Sequence, residues 1–448
     1  MKKSTAAIAR HPARFAGDRA RSCANADTMP RFLGLGLRLL LAAPLAASAA
    51  SAAESGRADF QIVESVPTAT VYGEPGVPRT QAVWLRMIQG ARQRIDIAAF
   101  YIAEKPGGGG ALAPVLDALA ARARAGVTVR LLVDHSFLAS NPASVERLRK
   151  VPGVAVRALP ADALTGGVLH AKYMVVDGTE VFLGSPNWDW RALEEIHEIG
   201  ARVRDTRFAR TFGAVFDFDW QVAGDPDLPK AASAAMRAPD FAPATERDPV
   251  LLDAGGGDPL TAFPAFSPPS LAPAWVTAEQ PALVHMIEAS RRVLRIQVMT
   301  LSAIRQYGPR GWWPDVDAAL RDAAARGVEV RIIVADWALG EPMQSYLKSL
   351  AALPNVTVKF SRLPPSPQGF IPYARVEHAK YAVADDRSAC IGTGNWEWSY
   401  FNVSVDASVF VHGAGPARTL ASIFDRDWNG PYVTTIEPGG SYAPPRTH

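Results

Sequence analysis

The order of apolar runs is written twice along the chain. Arg94 to Ile102, RIDIAAFYI, is an apolar run rich in β-branched and aromatic residues and predicts a strand, while Ala111 to Ala125 has helical spacing and stops at Gly126. Val127 to Asp134, VTVRLLVD, predicts a buried strand, followed by a helix around Ala143 to Lys150 and a short strand from Val154 to Leu159. The same succession returns as a strand at Arg292 to Thr300, a helix at Asp315 to Arg326, a strand at Val328 to Asp336, a helix near Met343 to Leu350 and a strand at Val356 to Phe360. A shared GVxVRxxV block, Gly126 to Val133 and Gly327 to Val334, marks the two copies. Duplication of one α/β unit is the economical explanation. The expected fold is α/β: two similar mixed α/β sandwich half-domains, packed as a pseudo-twofold dimer with one shared active site.

Composition sets boundaries around these copies. At 448 residues, 48% hydrophobic and 20% charged, the chain is globular and long enough for two or three domains. Residues 1–53 read as an extension followed by a secretory signal: Arg31, an apolar run from Phe32 to Ala47, then small residues around Ala50-Ser51-Ala52, with Met29 as a second candidate start. An uncleaved anchor is the competing reading. The expected divisions are a half-domain at 54–232, a Pro/Gly-rich linker at 233–273, a second half-domain at 274–432 and a tail at 433–448. Gly107 to Gly110 reads as a flexible covering loop, since it lacks the Lys-Ser/Thr of a phosphate-binding loop.

Removing the first 53 residues takes away eight Lys/Arg and two Asp/Glu, so the formal charge of +3 becomes −3. A broadly basic, phosphate-tracking surface is therefore not expected, and phosphate recognition must be local. Of the two cysteines, Cys23 lies in the removable segment and Cys390 reads as a small buried apolar residue, so no intramolecular disulfide is expected in the mature chain.

The candidate chemistry sits at the end of each copy. His170 to Asn187 reads HAKYMVVDGTEVFLGSPN, and His378 to Asn395 reads HAKYAVADDRSACIGTGN. His170, Lys172, Asp177, Gly184, Ser185 and Asn187 match His378, Lys380, Asp385, Gly392, Thr393 and Asn395 at identical offsets. On a strand, residues two apart share a face, so each His and Lys project together. The Gly-Ser and Gly-Thr pairs suit tight turns that bring backbone N–H groups and the asparagine amides to the same place. If the halves pack about a twofold, two imidazoles, two ammoniums and two amides converge, a set suited to a phosphodiester.

The motif H-x-K-x4-D-x6-G-S/T-x-N, present twice, resembles the signature of the phospholipase D superfamily, over about Phe60 to Trp428. Its flanks, Asn187-Trp188-Asp189-Trp190-Arg191 and Asn395-Trp396 with Tyr400-Phe401 beyond, resemble the type 3 and type 4 phospholipases D, which include 5′ exonucleases for single-stranded nucleic acid. The resemblance implies a covalent phosphohistidine without a metal or other cofactor. By that analogy His170 is the nucleophile and His378 the acid/base, with Lys172, Lys380, Asn187 and Asn395 binding the non-bridging oxygens.

Glu198 and Asp406 each lie 28 residues after a motif histidine and 11 after its asparagine, and superfamily members carry an acid there that orients an imidazole. An acid at 406 departs from the type 3 and type 4 pattern. Asp177 and Asp385, and Ser185 and Thr393, are expected to be structural members of the motif.

Trp188, Trp190, Trp396 and Trp398 are expected to bind substrate, with Tyr400 and Phe401 beside them. Trp312 and Trp313 are expected at an exposed apolar rim. His135 is expected near the pocket, and His197, His285 and His412 elsewhere. The expected function is that of an exported, periplasmic or secreted monomeric phosphodiesterase acting on phospholipid head groups, with peripheral membrane contact. Single-stranded nucleic acid is the alternative substrate, and a non-catalytic phosphate-ligand binding protein the third reading.

Overall fold

The computed structural model describes residues 58–140, 142–225, 238–255, 257–306 and 308–448. The signal and anchor readings of residues 1–53 lie outside them. Among the described residues no helix is long and apolar enough to cross a membrane.

Two mixed sheets of matching topology carry the duplication. The first has seven strands in the order Phe60–Ser65, Glu198–Arg204, Glu180–Gly184, Tyr173–Val176, Arg94–Ala99, Thr128–Asp134 and Val154–Leu159. The last three are parallel, and Tyr173–Val176 runs antiparallel to Arg94–Ala99. The second sheet repeats this as Pro259–Ser267, Asp406–His412, Ser388–Gly392, Lys380–Ala384, Val293–Val298, Glu329–Ala335 and Val356–Ser361. The central strands are mostly apolar because helices cover both of their faces, and the charges they do carry are paired, Asp96 with Arg130 and Arg295 with Asp425. On the first sheet, Val83, Trp84, Leu116 and Leu119 of Thr80–Gly90 and Ala113–Arg124 fill one side, and Phe208, Phe212 and Phe216 of Thr206–Val222 fill the other. That last helix starts at Asp205, whose carboxylate accepts the Phe208 N–H at 2.7 Å.

The segment read as linker is not a linker along its length. Pro259–Ser267 is a nine-residue strand paired with Asp406–His412, and Val250–Asp253 pairs with it in turn. Leu260, Ala262, Ala265 and Phe266 are buried there. Prolines 259 and 264 masked the strand pattern; Pro264 falls between the stretches that pair with Val250–Asp253 and Thr277–Ala278, where a missing N–H is tolerated. Likewise Val433–Thr435, read as tail, adds an edge strand beside Val356–Ser361.

The halves meet through apolar and polar contacts. One apolar cluster contains Tyr173, Val181 and Ala201 of the first sheet together with Tyr381, Ile391 and Val409 of the second. Two short parallel bridges, Leu169 with Val405 and His197 with Glu377, stitch the halves at residues next to the motif histidines and their acids. His170 N–H donates to the Val405 carbonyl at 2.9 Å, and His378 N–H to the His197 carbonyl at 2.9 Å.

Asp177 and Asp385 sit at equivalent turns with φ of 52° and 54°. Asp177 accepts the N–H groups of Arg92, Gln93 and Arg94 at 2.7 to 2.8 Å. Asp385 accepts those of Arg291, Arg292 and Val293 at 2.7 to 3.0 Å. Each therefore joins its motif turn to the start of the neighbouring strand. Asp177→Ala should destabilise the chain by about 1–3 kcal/mol, the scale for orphaning several backbone donors; urea denaturation reads this, and an unchanged midpoint would contradict it.

Candidate active site

The parallel strands run past their carboxyl ends into one cavity of about 520 Å3. His170, Asn187, His378 and Asn395 all line it. The two motifs, far apart in the chain, thus share one site.

Each imidazole is held by an acid from the other half. His170 Nδ1 lies 2.9 Å from Asp406 Oδ1, and His378 Nδ1 lies 2.7 Å from Glu198 Oε2. Offset alone associates Glu198 with His170 and Asp406 with His378; the bridges between halves cross the pairs instead. With Nδ1 occupied in both rings, the nitrogen left for chemistry is Nε2.

Lys172 and Lys380 are buried and do not line the cavity. Lys172 Nζ donates to the His170 carbonyl, and Lys380 Nζ to the His378 carbonyl at 2.6 Å. Burial pushes the Lys380 ammonium down to about 7 and the Lys172 ammonium well below its usual range. Burial also lowers both imidazoles; the neighbouring Lys172, Lys380 and His378 charges lower His170 further, whereas Glu198 opposes the shift at His378. The amide oxygens of Asn187 and Asn395 are buried with no hydrogen-bond partner among the described residues.

The walls of the cavity differ from the sequence expectation. Trp188 is fully buried and stacks on Trp84, with centroids 4.4 Å apart, and Trp190 and Trp396 are also core residues. Trp398 packs against the second core and under Arg305. None of these four lines the cavity: Trp188 and Trp396 lie in the two-residue strands Trp188–Asp189 and Trp396–Glu397, and Trp190 and Trp398 open the short helices Trp190–Glu194 and Trp398–Asn402 that follow. Trp313 is buried against Phe401, leaving Trp312 alone of the two exposed, and His135 is exposed and outside the cavity lining. His285 pairs with Glu246 at the surface and His412 with Ser388. Cys390 is buried and pushed up to about 12.

The cavity is instead walled by Phe100, Tyr101, Phe137, Trp337, Tyr373 and Tyr400, with Arg191 among them. Phe100, Phe137 and Trp337 come just after the parallel strands Arg94–Ala99, Thr128–Asp134 and Glu329–Ala335. The readable signal was the rule that ligands sit at the carboxyl ends of such strands. The predicted strand Arg94–Ile102 ran through Phe100 and Tyr101, and Arg292–Thr300 ran through Met299, which also lines the cavity; the strands end at Ala99 and Val298, and the chain resumes as the two-residue strands Ile102–Ala103 and Leu301–Ser302. Phe100 and Tyr400 flank the His170 ring at 4.9 and 4.8 Å.

Behind His378 lies a buried ionic network. His197 Nδ1 is 2.7 Å from Glu377, and its Nε2 is 3.1 Å from Glu64. Against the cost of burial, Glu377 and Asp427 raise His197 to about 10, and His197 and Arg426 bring Glu64 to about 2. Sequence reasoning passed over this residue, which looked ordinary. Replacing His197 by Ala should cost about 3–5 kcal/mol, the scale for leaving buried partners uncompensated. Because the His197 pKa is raised, its contribution is full below the ordinary imidazole value of 6.5 and is lost as pH rises through about 10. Unfolding free energies of wild type and His197→Ala that differ equally at neutral and strongly alkaline pH would contradict this.

Comparison with known proteins places the chain. A family model described as cardiolipin synthase, PLD-like domain, matches residues 84–220 and 283–428. The chain is 34% identical over 399 residues to the rat (Rattus norvegicus) 5′-3′ exonuclease PLD3, covering 84% of this chain and 80% of that protein. It is 32% identical over 398 residues to phospholipase D Z of Dictyostelium discoideum, covering 84% and 91%. Among solved structures, the phosphatidylserine synthase of Haemophilus influenzae aligns with a TM-score of 0.56 at 12% identity, covering 87% of this chain and 91% of that one, a likeness of fold alone.

Proposed function

The chain belongs to the phospholipase D superfamily of phosphodiesterases, and we propose that it shortens single-stranded nucleic acid from a free end. The observation that carries this reading is the wall of six aromatic rings around the two histidines, since every base offers a face for stacking. The relatives named 5′-3′ exonuclease support it over the phospholipid expectation. A cavity of about 520 Å3 suits one terminal nucleotide rather than a strand passing through.

In the proposed mechanism, His170 Nε2 attacks phosphorus and the bond to the leaving oxygen breaks, forming a phosphohistidine. His378 gives its proton to the leaving oxygen, then takes one from the water that cleaves the P–N bond. Asp406 and Glu198 keep each imidazole in its working orientation. Asn187 and Asn395 meet the phosphoryl oxygens in the cavity, and Lys172 and Lys380, buried behind its wall, stabilise them through space; the phosphate's own charge favours the protonated lysines that burial disfavours in its absence. The phospholipid reading keeps one support, the similarity to phospholipase D Z.

The purified chain is incubated, in parallel, with a labelled single-stranded oligonucleotide and with labelled phosphatidylcholine or phosphatidylglycerol vesicles plus ethanol. Stepwise shortening of the oligonucleotide is expected; phosphatidylethanol formation without shortening would overturn the nucleic-acid reading. His170→Ala and His378→Ala should each lower turnover by at least about 10³-fold, a loss within the range that a positioned acid or base supplies and compounded at His170 by loss of the nucleophile. Acid-labile label should be trapped on the enzyme in wild type but not in His170→Ala.

The pH profile follows from the imidazoles. Both are lowered from 6.5, so His170 is free to attack in mild acid, and turnover falls as pH rises through the lowered pKa of His378, which must carry a proton. An acidic optimum of kcat/KM is expected, and one above neutrality contradicts these roles. Export, the expectation from residues 1–53, belongs to the same proposal; sequencing the N-terminus of the secreted chain tests it.

A further inference from the structure

The two copies differ in length just before each motif. Strand Val154–Leu159 leads to His170, and its counterpart Val356–Ser361 leads to His378. The strands are offset by 202 residues and the histidines by 208, so the second copy carries six residues more at this point. In the first copy the connection holds the helix Ala161–Thr165. In the second, residues 363–375 form a loop at the cavity, and Tyr373 lines it.

The first half pins this loop. Buried Glu195 accepts from the Ser366 hydroxyl at 3.3 Å and from the Arg375 guanidinium at 3.2 Å, so one carboxylate gathers both ends. Arg375 Nε donates to the Pro364 carbonyl at 2.6 Å, and Arg191 Nη1 to the Pro372 carbonyl at 2.9 Å. Tyr373 and Arg375 sit at φ of 58° and 55°, left-handed conformations that a non-glycine residue keeps only where its surroundings impose them. The loop is thus set in one conformation before any ligand arrives.

It presents two rings. Phe370 and Tyr373 are each 50% exposed. Tyr373 N–H donates to the Thr447 carbonyl at 2.9 Å, which brings the His448 ring alongside at 6.2 Å and Arg446 over Phe370 at 4.3 Å. Arg191 lies over Tyr373 at 6.0 Å. Ile371, between the rings, is partly buried against the core of the first half. A loop that enters acyl chains exposes its aliphatic residue; this one buries it and shows flat rings with cations beside them, the make-up of a stacking platform for single strands. Of the residues lining the cavity, Tyr373 alone is exposed, so the way out runs past it.

We propose that Phe370, Tyr373 and Arg446 form a second subsite, which binds the nucleotides that follow the terminal one of a single-stranded nucleic acid. Bases stack on the two rings, and Arg446 meets a phosphate between them. The subsite rests on the nucleic-acid reading of the cavity, and its test separates the two.

Fluorescence anisotropy with a labelled thymidine strand of about ten nucleotides, joined by cleavage-resistant phosphorothioates, reads binding without turnover. Phe370→Leu keeps apolar volume and loses the ring; Phe370→Trp keeps a ring. Kd should rise about 5- to 100-fold in Phe370→Leu, the scale of one base stacked on one ring, and return to within about twofold of wild type in Phe370→Trp. Arg446→Gln should flatten the slope of log Kd against log salt by about 0.7, one phosphate contact on a single strand. On the phosphodiester-linked strand, kcat/KM should fall in Phe370→Leu relative to kcat/KM on bis(p-nitrophenyl) phosphate, which reaches the cavity alone; a loop needed only for folding lowers both alike. Equal Kd values in wild type and Phe370→Leu overturn the subsite, and if wild type still shortens the strand the exonuclease reading stands. A wild type that ignores the strand and binds phosphatidylglycerol vesicles equally well as Phe370→Leu overturns it too. Ring-dependent binding without shortening sustains the subsite and counts against the exonuclease reading alone.

Discussion

The architecture depends on two hydrogen bonds that cross between the halves, His170 to Asp406 and His378 to Glu198. Each needs a strand from one half and a motif from the other. Neither half can assemble an oriented imidazole alone, and the register of the two parallel bridges beside them decides whether either is made. Tight packing enforces this register: a Cβ at Gly167 would come within 2.2 Å of the Val403 carbonyl across the interface.

Around those pairs, burial does most of the electrostatic work. Burial that takes two lysines and two histidines out of water pushes all four toward neutrality, which would be a poor arrangement for an empty core. It is a good arrangement for receiving an anion, because a bound phosphate supplies the charge whose absence disfavours the protonated forms. The unpartnered amide oxygens of Asn187 and Asn395 belong to the same unsatisfied state. The near twofold symmetry is broken in what stands behind each pair: His197 with Glu377, Glu64 and Asp427 near His378, and Glu279 with Ser267 and Ser408 near Asp406. Two chemically identical rings can thereby take unlike roles.

Much of this was legible in the residues. The duplicated α/β order, the motif pairs and the acids at positions 198 and 406 are local patterns, and local patterns survive in sequence because strand and helix periods and turn residues are short-range requirements. The tryptophans after each motif were misplaced for the complementary reason. An indole is at home in a core or at a pocket mouth, and only the path of the short strands and helices that carry it decides which. The strand hidden under prolines 259 and 264 escaped because its pairing partner, Asp406–His412, lies well over a hundred residues away.

By itself, then, the sequence determined the α/β class, the duplication and the identity of the histidine, lysine and asparagine side chains gathered at the site, since these follow from local patterns, each complete within a few tens of residues. The tertiary structure alone decided that the acids serve the opposite half and that Phe100, Phe137, Trp337 and Tyr373 wall the cavity. These depend on contacts between residues remote in the chain, and such contacts are set by how two sheets pack rather than by any local preference.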